Sequence, residues 1–268
     1  MKRLASKVAL IIGAAGKDNM GQVIARRLHS EGAAIIVAGR QLEPLQQFAE
    51  QVGGLALQCD ITRRGDIVDA AQRAFDWKGR LDIGINATGW GFLKNFLETT
   101  EDELQRITAL QFTGPFHFYQ SMIEAMMKNP QPGGSIIQIS SATATIMLND
   151  HAAYMGTKAG SDHIIRCIAH EYGKHGIRAN SISPGLTDTP MNAEAKKIPG
   201  MFDSFIAGYP LGRIGTSDDV AAAAAWLCSD ECFMTGENLQ VNGGLTLRRN
   251  PTREEIGASI AAAAAARA

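Results

Sequence analysis

The chain has 268 residues, of which 45% are apolar and 20% charged, so it can bury a substantial core within one large domain and is neither disordered nor fibrous. Twenty-six Lys and Arg against 27 Asp and Glu leave a formal charge of −1, which removes the basic field that nucleic acid or an anionic membrane surface requires. Cys59, Cys167, Cys228 and Cys232 follow no paired spacing, which points to buried or idle thiols in a reducing compartment.

The amino terminus, MKRLASKVALIIGAA, imitates a signal peptide, but Lys7 interrupts it and its apolar run feeds straight into a glycine-rich turn. The apolar runs near residues 8–15 and 220–228 are less than half of the roughly 20 residues that span a bilayer. A soluble, cytoplasmic protein is expected.

In chain order, KVALIIG, AAIIVAG, LALQC, LDIGI, SIIQIS, IRANSIS and ENLQV alternate with longer amphipathic stretches. Runs that are apolar at consecutive positions mark strands covered on both faces. The expected fold is α/β: a Rossmann-like, doubly wound parallel sheet of about seven strands flanked by helices, in a single domain. Ligands in such sheets sit beyond the carboxyl ends of the strands, where this chain places glycines, Arg40, Asp60, Asn86, Ser141 and Pro184-Gly185.

The first strand ends in GAAGKDNMG, which sets Gly13, Gly16 and Gly21 at a strand-to-helix turn opening a helix over residues 22–30. Backbone amides and a helix amino terminus there can face a pyrophosphate; a plain tight turn is the bland alternative. After the second strand stands Arg40, where a site for NAD usually carries a carboxylate for the ribose hydroxyls. Its guanidinium fork, with Lys17 of the loop as a second cation, suits the 2′-phosphate of NADP, so NADP(H) is expected over NAD(H). Stacking of Arg40 on adenine, with Lys17 in water, is the other reading. Asp60 and Asn86 follow the third and fourth strands, placed to hold the adenine end, to brace a loop or simply to form a turn.

The fifth strand ends in Ser140-Ser141, and thirteen residues after Ser141 comes Tyr154, four before Lys158, on a helix running to about residue 174. That spacing stacks phenol and ammonium on one helix face, and a positive charge there draws a tyrosine pKa down from about 10. Alone, such a pair is common on helices as an aromatic body beside a snorkelling lysine. Joined to a strand-end serine and a nucleotide loop, it reads as an acid–base centre.

On these motifs the chain resembles the short-chain dehydrogenase/reductase family over nearly all of residues 5–244. The residues that carry the likeness are GAAGKDNMG, Asp60, Asn86-Ala87-Thr88-Gly89, Ser141, Tyr154, Lys158, Pro184-Gly185, Thr189 and Val241-Asn242-Gly243-Gly244. The resemblance implies an NAD(P)-dependent enzyme acting on a ketone or secondary alcohol, in which Tyr154 exchanges a proton with the substrate oxygen and Ser141 orients it. Lys158 then lowers the Tyr154 pKa and holds the nicotinamide ribose, and the loop of Pro184, Gly185, Thr187 and Thr189 secures the carboxamide. Met20, Ile61 and Gly89 join the dinucleotide site on the same basis.

Three departures qualify the likeness. The glycine loop is two residues longer than usual and looks closer to that of enoyl-thioester reductases, an alternative activity; those enzymes space tyrosine and lysine seven apart, and His151 stands at that position. Ala87 replaces the second asparagine of the usual loop. Gln111 stands where the family has an asparagine that bends the helix and holds a relay water, and it is a weaker catalytic candidate.

Met191, Ile198, Met201, Phe202, Phe205 and Ile206 lie within residues 189–211, where the family carries a lid, and suggest a fairly apolar substrate. Trp90, Phe92, Ile146, Met147 and Leu148 are candidates for the pocket wall. His163 and His170, two turns apart on the tyrosine's helix that His175 ends, have no third ligand nearby, and no metal is expected. The family buries the tyrosine helix and the helix of residues 101–128 against twin copies, which implies a homodimer or homotetramer. Residues 1–244 form the expected domain; residues 245–268 read as a basic, alanine-rich appendage that packs on a neighbouring subunit or frays. A nucleotide-binding regulator without turnover is the remaining alternative, and the intact Ser141, Tyr154 and Lys158 weigh against it.

Overall fold

A strand sandwiched between two helix layers needs no polar positions, and β1 (Val8–Ile12) is buried at every residue. The computed structural model describes residues 2–266; Met1, and Arg267 and Ala268 of the expected appendage, lie outside the described residues. Next in order come α1 (Met20–Ser30), β2 (Ala34–Gly39), α2 (Leu42–Val52), β3 (Leu55–Gln58), α3 (Arg64–Lys78) and β4 (Ile83–Asn86). After these follow α4 (Glu101–Thr108), α5 (Gly114–Met127), β5 (Gly134–Ile139), α6 (Ala152–Tyr172) and β6 (Ile177–Pro184). The chain ends with β7 (Thr187–Asp188), α7 (Ala193–Lys196), α8 (Met201–Ile206), β8 (Gly215–Thr216), α9 (Ser217–Leu227), β9 (Asn238–Val241) and α10 (Arg253–Ala265).

Seven parallel strands form one sheet in the order β3-β2-β1-β4-β5-β6-β9. Because β2 and β4 flank β1 on opposite sides, the chain reverses its winding there and opens a crevice beyond the carboxyl end of β1. Each face has its own core. On one, Ile24, Leu28, Phe48, Val220 and Leu227 of α1, α2 and α9 close over Ile11 and Ile35. On the other, Ile67, Phe118, Met122 and Ile165 of α3, α5 and α6 cover Leu10, Ile12 and Ile36. Each such side chain, fully buried, contributes about 1.5–3 kcal/mol.

The long helix expected over residues 101–128 is divided. Between α4 and α5 lies a π-helical turn, Ala109–Thr113, in which the Gly114 N–H reaches back to the Ala109 carbonyl. Pro115 has no N–H to offer the Gln111 carbonyl four residues before it, and the Ser161 hydroxyl of α6 donates to that carbonyl instead at 2.6 Å. The turn carries Gln111 into the interior, 1% exposed.

The alanine-rich tail, expected to pack on a neighbouring subunit or to fray, makes ordered contacts with its own chain. α10 starts from a Thr252–Glu255 capping box and lies along α8, where Ser259 Oγ donates to the Gly200 carbonyl at 2.7 Å. Asn250 Nδ2 donates to the Met147 carbonyl at 3.0 Å, and Arg253 pairs with Asp150. No residue of α10 is buried, so these polar contacts, invisible to a hydrophobic pattern, hold it.

Candidate active site

The glycine loop closes by backbone contact. Gly13 donates to the Ala38 carbonyl at 2.9 Å and sits at φ +95°, where a Cβ would lie 2.7 Å from the Ala87 carbonyl carbon. Asn19 caps α1, accepting from Gln22 N at 3.0 Å while its Nδ2 donates to the Gly13 carbonyl at 2.8 Å. Gln22 ties down the lengthened part of the loop, donating to the Ala14 carbonyl and accepting from Asp18 N, both at 3.0 Å. The first turn of α1 carries no acid, so its positive end is uncompensated from within the helix. Gly21 is buried, and a Cβ there would stand 2.8 Å from the Gly13 carbonyl oxygen, so it brings helix and strand together. Met20 packs against the core, and Lys17 is exposed, away from the groove that the loop borders.

That groove, of about 770 Å³, runs past Gly13, Gly16, Arg40, Asp60, Ile61 and Gly89. Its glycine walls and helix end suit a dinucleotide: the backbone is bare where phosphates must approach, and Arg40 stands at the far end. Sequence reasoning missed Arg106 of α4, which also lines the groove and lies 4.7 Å above the Trp90 ring, and Arg63, which shares with Arg40 an adjoining cleft. Arg106 stands one turn before Leu110, another lining residue, and that spacing was the available signal. Burial pushes the Asp60 carboxyl up, but donors from Thr62 and the charges of Arg40 and Arg63 outweigh it, so it lies below its ordinary value. Asn86 takes the bracing role among its alternatives: fully buried, it donates to Gln138 at 2.8 Å and accepts from Thr88 N and Oγ1.

Beyond β5, Ser141 accepts from Thr143 N at 3.2 Å and shares a 2.8 Å hydrogen bond with the Thr143 hydroxyl. Tyr154 and Lys158 occupy the first two turns of α6, with Nζ 5.6 Å from the phenol ring centre. Lys158 is buried and donates to the Ile139 carbonyl at 2.8 Å; burial draws its pKa down to about 8 against the upward pull of Asp162. The expected lowering of Tyr154 is not what the protein groups produce. Burial raises its hydroxyl, a hydrogen bond with Ser141 pulls it back, and the Asp162 charge raises it further, while the ammonium stays engaged with Ile139.

Gln111 uses both ends of its amide: Oε1 accepts from Trp90 N and Nε2 donates to Thr157 Oγ1, each at 2.9 Å. It thereby joins the Gly89-Trp90 loop to the helix of Tyr154. His151, absent from the sequence candidates except as a spacing argument, stacks on Tyr154 with ring centres 4.2 Å apart. Its Nδ1 contacts the Phe92 carbonyl at 2.8 Å and must donate there; burial pulls its pKa down to about 4, and it is neutral at physiological pH.

Pro184 ends β6 next in the sheet to β5, and Gly185 lies close under the Tyr209 hydroxyl. Thr187 is buried with its hydroxyl on the Gly185 carbonyl at 2.9 Å, and Thr189 is half-buried at the start of the segment bearing α7 and α8. Met191 of that segment reaches the Gly91 loop. Cys59, which lines the groove, is buried, as are Cys228 and Cys232, and burial pushes the Cys59 and Cys228 thiols up to about 12.

A family model described as enoyl-(acyl carrier protein) reductase matches residues 13–246. The chain is 33% identical to borneol dehydrogenase, mitochondrial, of Lavandula x intermedia, over 92% of this chain and 93% of that one. It is 31% identical to D-threitol dehydrogenase of Mycolicibacterium smegmatis, over 92% and 95%. The chain belongs to the short-chain dehydrogenase/reductase family. A solved short-chain type dehydrogenase/reductase from Mycobacterium ulcerans superposes with a TM-score of 0.88 at 26% identity, over 95% of this chain and 98% of that one. As a short-chain dehydrogenase/reductase, the protein is an NAD(P)-dependent oxidoreductase acting on CH–OH and C=O groups of small molecules. Among the described residues no helix is long and apolar enough to cross a membrane, and no cluster of metal-ligating side chains occurs.

Proposed function

We propose that the enzyme interconverts an apolar secondary alcohol and its ketone with NADP(H), using Tyr154 as the general acid and base. The observation that carries this reading is the gathering of Ser141, Tyr154 and Lys158 at the end of β5, beside the glycine-walled groove. When bound, a nicotinamide dinucleotide would supply the hydride chemistry, giving one to the ketone carbon or taking one from the alcohol carbon. In reduction Tyr154 gives its proton to the substrate oxygen, and in oxidation its phenolate takes the proton back. Ser141 donates to the same oxygen and fixes its direction.

Gly13, Gly16 and Gly21, with Met20 of the loop, form the pyrophosphate side, and the exposed Lys17 keeps the solvent-facing reading. Arg40 holds a 2′-phosphate, with Asp60 and Ile61 shaping the adenosine end, while Asn86 braces the loop at Thr88 and Gly89 lies beside Lys158. Lys158 holds the nicotinamide ribose, and Pro184, Gly185, Thr187 and Thr189 hold the carboxamide. Gln111 serves as a spacer between loop and helix. The relatives' names cover borneol and D-threitol, so they do not choose a polarity; Met191, Ile198 and Phe202 in residues 189–211, taken as the lid, support the apolar choice.

A raised Tyr154 hydroxyl stays protonated through neutral pH, so reduction should run flat there while oxidation climbs into the alkaline range. Purified enzyme with NADPH or NADH and a panel of ketones, followed by absorbance of the reduced nicotinamide, tests the reading. Tyr154→Phe should lose about 100-fold or more in turnover while binding NADPH as before; full turnover would overturn the proton route. The family model's description and the lengthened loop favour a second reading, reduction of an enoyl thioester. Saturated thioester as product, with ketones inert, would select it.

A further inference from the structure

Asp162 has no part in the roles assigned so far, yet it stands behind the lysine. It follows Lys158 by four residues on α6, so the two share a helix face. Its Oδ2 accepts from Ser140 Oγ at 2.7 Å and from Asn238 Nδ2 at 2.6 Å, and its Oδ1 is buried without a hydrogen-bond partner. The contacts converge on two consecutive residues at the end of β5, just before Ser141. Ile139 offers its carbonyl to Lys158, Ser140 offers its hydroxyl to Asp162, and Ser141 follows. Lys158 and Asp162 therefore stitch the tyrosine helix to the strand end that presents the serine, and Asn238 extends the stitch to β9.

The pair is also an electrostatic unit. A buried ammonium needs a counter-charge, because desolvation favours its neutral form. The Ile139 carbonyl supplies only a dipole, and Asp162 is the acidic group that acts on Lys158. The other titratable and charged groups around them are few. Tyr154 lies on α6 itself, and α5 brings Tyr119, which burial holds neutral while it bonds Gln138. α4 brings Arg106, held over Trp90, while β5, β6 and β9 present the uncharged Ser140, Ser181 and Asn238. Burial pushes the Asp162 carboxyl up, and the Ser181 and Ser140 hydroxyls, the Lys158 charge and Asn238 pull against it without offsetting it, so it lies above its ordinary value.

We propose that Asp162 is the positioning residue of this site: it provides the counter-charge that keeps Lys158 an ammonium and pins the end of β5 so that Ser141 and Tyr154 address one substrate oxygen. The assignment rests on the reading that Lys158 holds the dinucleotide. Removing the Asp162 charge takes away the influence that raises the lysine, so the proton on Nζ is lost at lower pH. NADPH binding to the full chain, followed by its fluorescence from about pH 6 to 10, reports this without turnover. In the unaltered protein affinity should fall with a midpoint near the Lys158 value of about 8.

Asp162→Asn should move that midpoint about one unit towards acid, a tenfold change in proton affinity, while affinity at pH 6 stays within about threefold. Ser140→Ala, which removes one donor that favours the ionised carboxylate, should move it the same way by less, and stands in if Asp162→Asn does not fold. A midpoint unchanged in both variants, with melting temperature alone reduced, would overturn the proposal and leave Asp162 a packing residue. Lys158→Met separates the two ideas: if it binds NADPH with unaltered affinity and pH dependence, the lysine reading itself fails, whatever Asp162 does.

Discussion

The two sides of the cleft are built from different materials. On the nucleotide side β1, α1 and β2 bury Ile11, Ile24, Leu28, Ile36 and Val37 completely, and the loop between them is closed by backbone contacts of Gly13, Ala14 and Asn19. On the other side, where the substrate lid is proposed, α7, α8 and α10 contain no buried residue, and a small cluster of Ala142, Tyr209 and Leu245 is the apolar anchor nearby. Polar bonds from Ser259, Asn250 and Arg253 complete the attachment. Burial fixes a shape that tolerates no added atom, whereas scattered polar contacts can be exchanged singly. On the proposed function, such a contrast would let one side keep a constant ligand while the other is free to vary.

The largest test breaks the rigid side. Gly13→Ala places a side chain at φ +95° and 2.7 Å from the Ala87 carbonyl carbon, and should destabilise the protein by about 3 kcal/mol and abolish NADPH binding, read by thermal melting and fluorescence titration. Next comes His151, where the two sides meet. Its unfolded pKa of 6.5 falls to about 4 on folding, so below pH 6.5 the unfolded chain takes up a proton that the folded chain refuses. Stability should therefore drop as pH falls through that window, by up to about 3 kcal/mol, and His151→Phe should flatten the slope in urea unfolding at a series of pH values.

Smaller effects sharpen the comparison. Arg40→Asp should shift the NADPH to NADH ratio of kcat/KM by about tenfold or more while leaving melting nearly unchanged; an unaltered ratio would remove Arg40 as the selector. Smallest of all, Arg253→Ala and Ser259→Ala should each cost about 0.5–1 kcal/mol, raise the KM for ketone more than that for NADPH, and lose their effect at high salt in the arginine case. Equal changes in both KM values would mean that the two sides are one mechanical unit after all.

What was legible in the sequence follows the same division. Val8–Ile12 announced itself as a strand because both of its faces are covered, and the Tyr154–Lys158 interval placed two groups on one helix face without any tertiary knowledge. The π-helical turn was hidden, since it depends on Pro115 and on a hydroxyl from Ser161, 50 residues beyond Gln111. The docking of α10 was hidden because Ser259 and Asn250 bond backbone carbonyls, which any sequence possesses, and Arg253 pairs with Asp150, 103 residues away in the chain. Asp162 was overlooked for a related reason: Ser140 and Asn238 come from other strands, and only the fold makes them its neighbours. The pull expected of Lys158 on Tyr154 was misjudged because spacing on a helix says nothing of how deeply both groups are buried.

The π-helical turn has a consequence for how this enzyme can be altered. By admitting an extra residue it acts as a phase shifter, turning the α5 surface into alignment with the sheet. Excising a single residue from Ala109–Thr113 would close the turn into an unbroken α-helix with Phe118, Tyr119 and Met122 still on the sheet, whereas the same excision early in α5, which has no residue to spare, would rotate them away by about 100°. Surface loops forgive gaps and insertions; here the reading frame of a helix is part of the architecture.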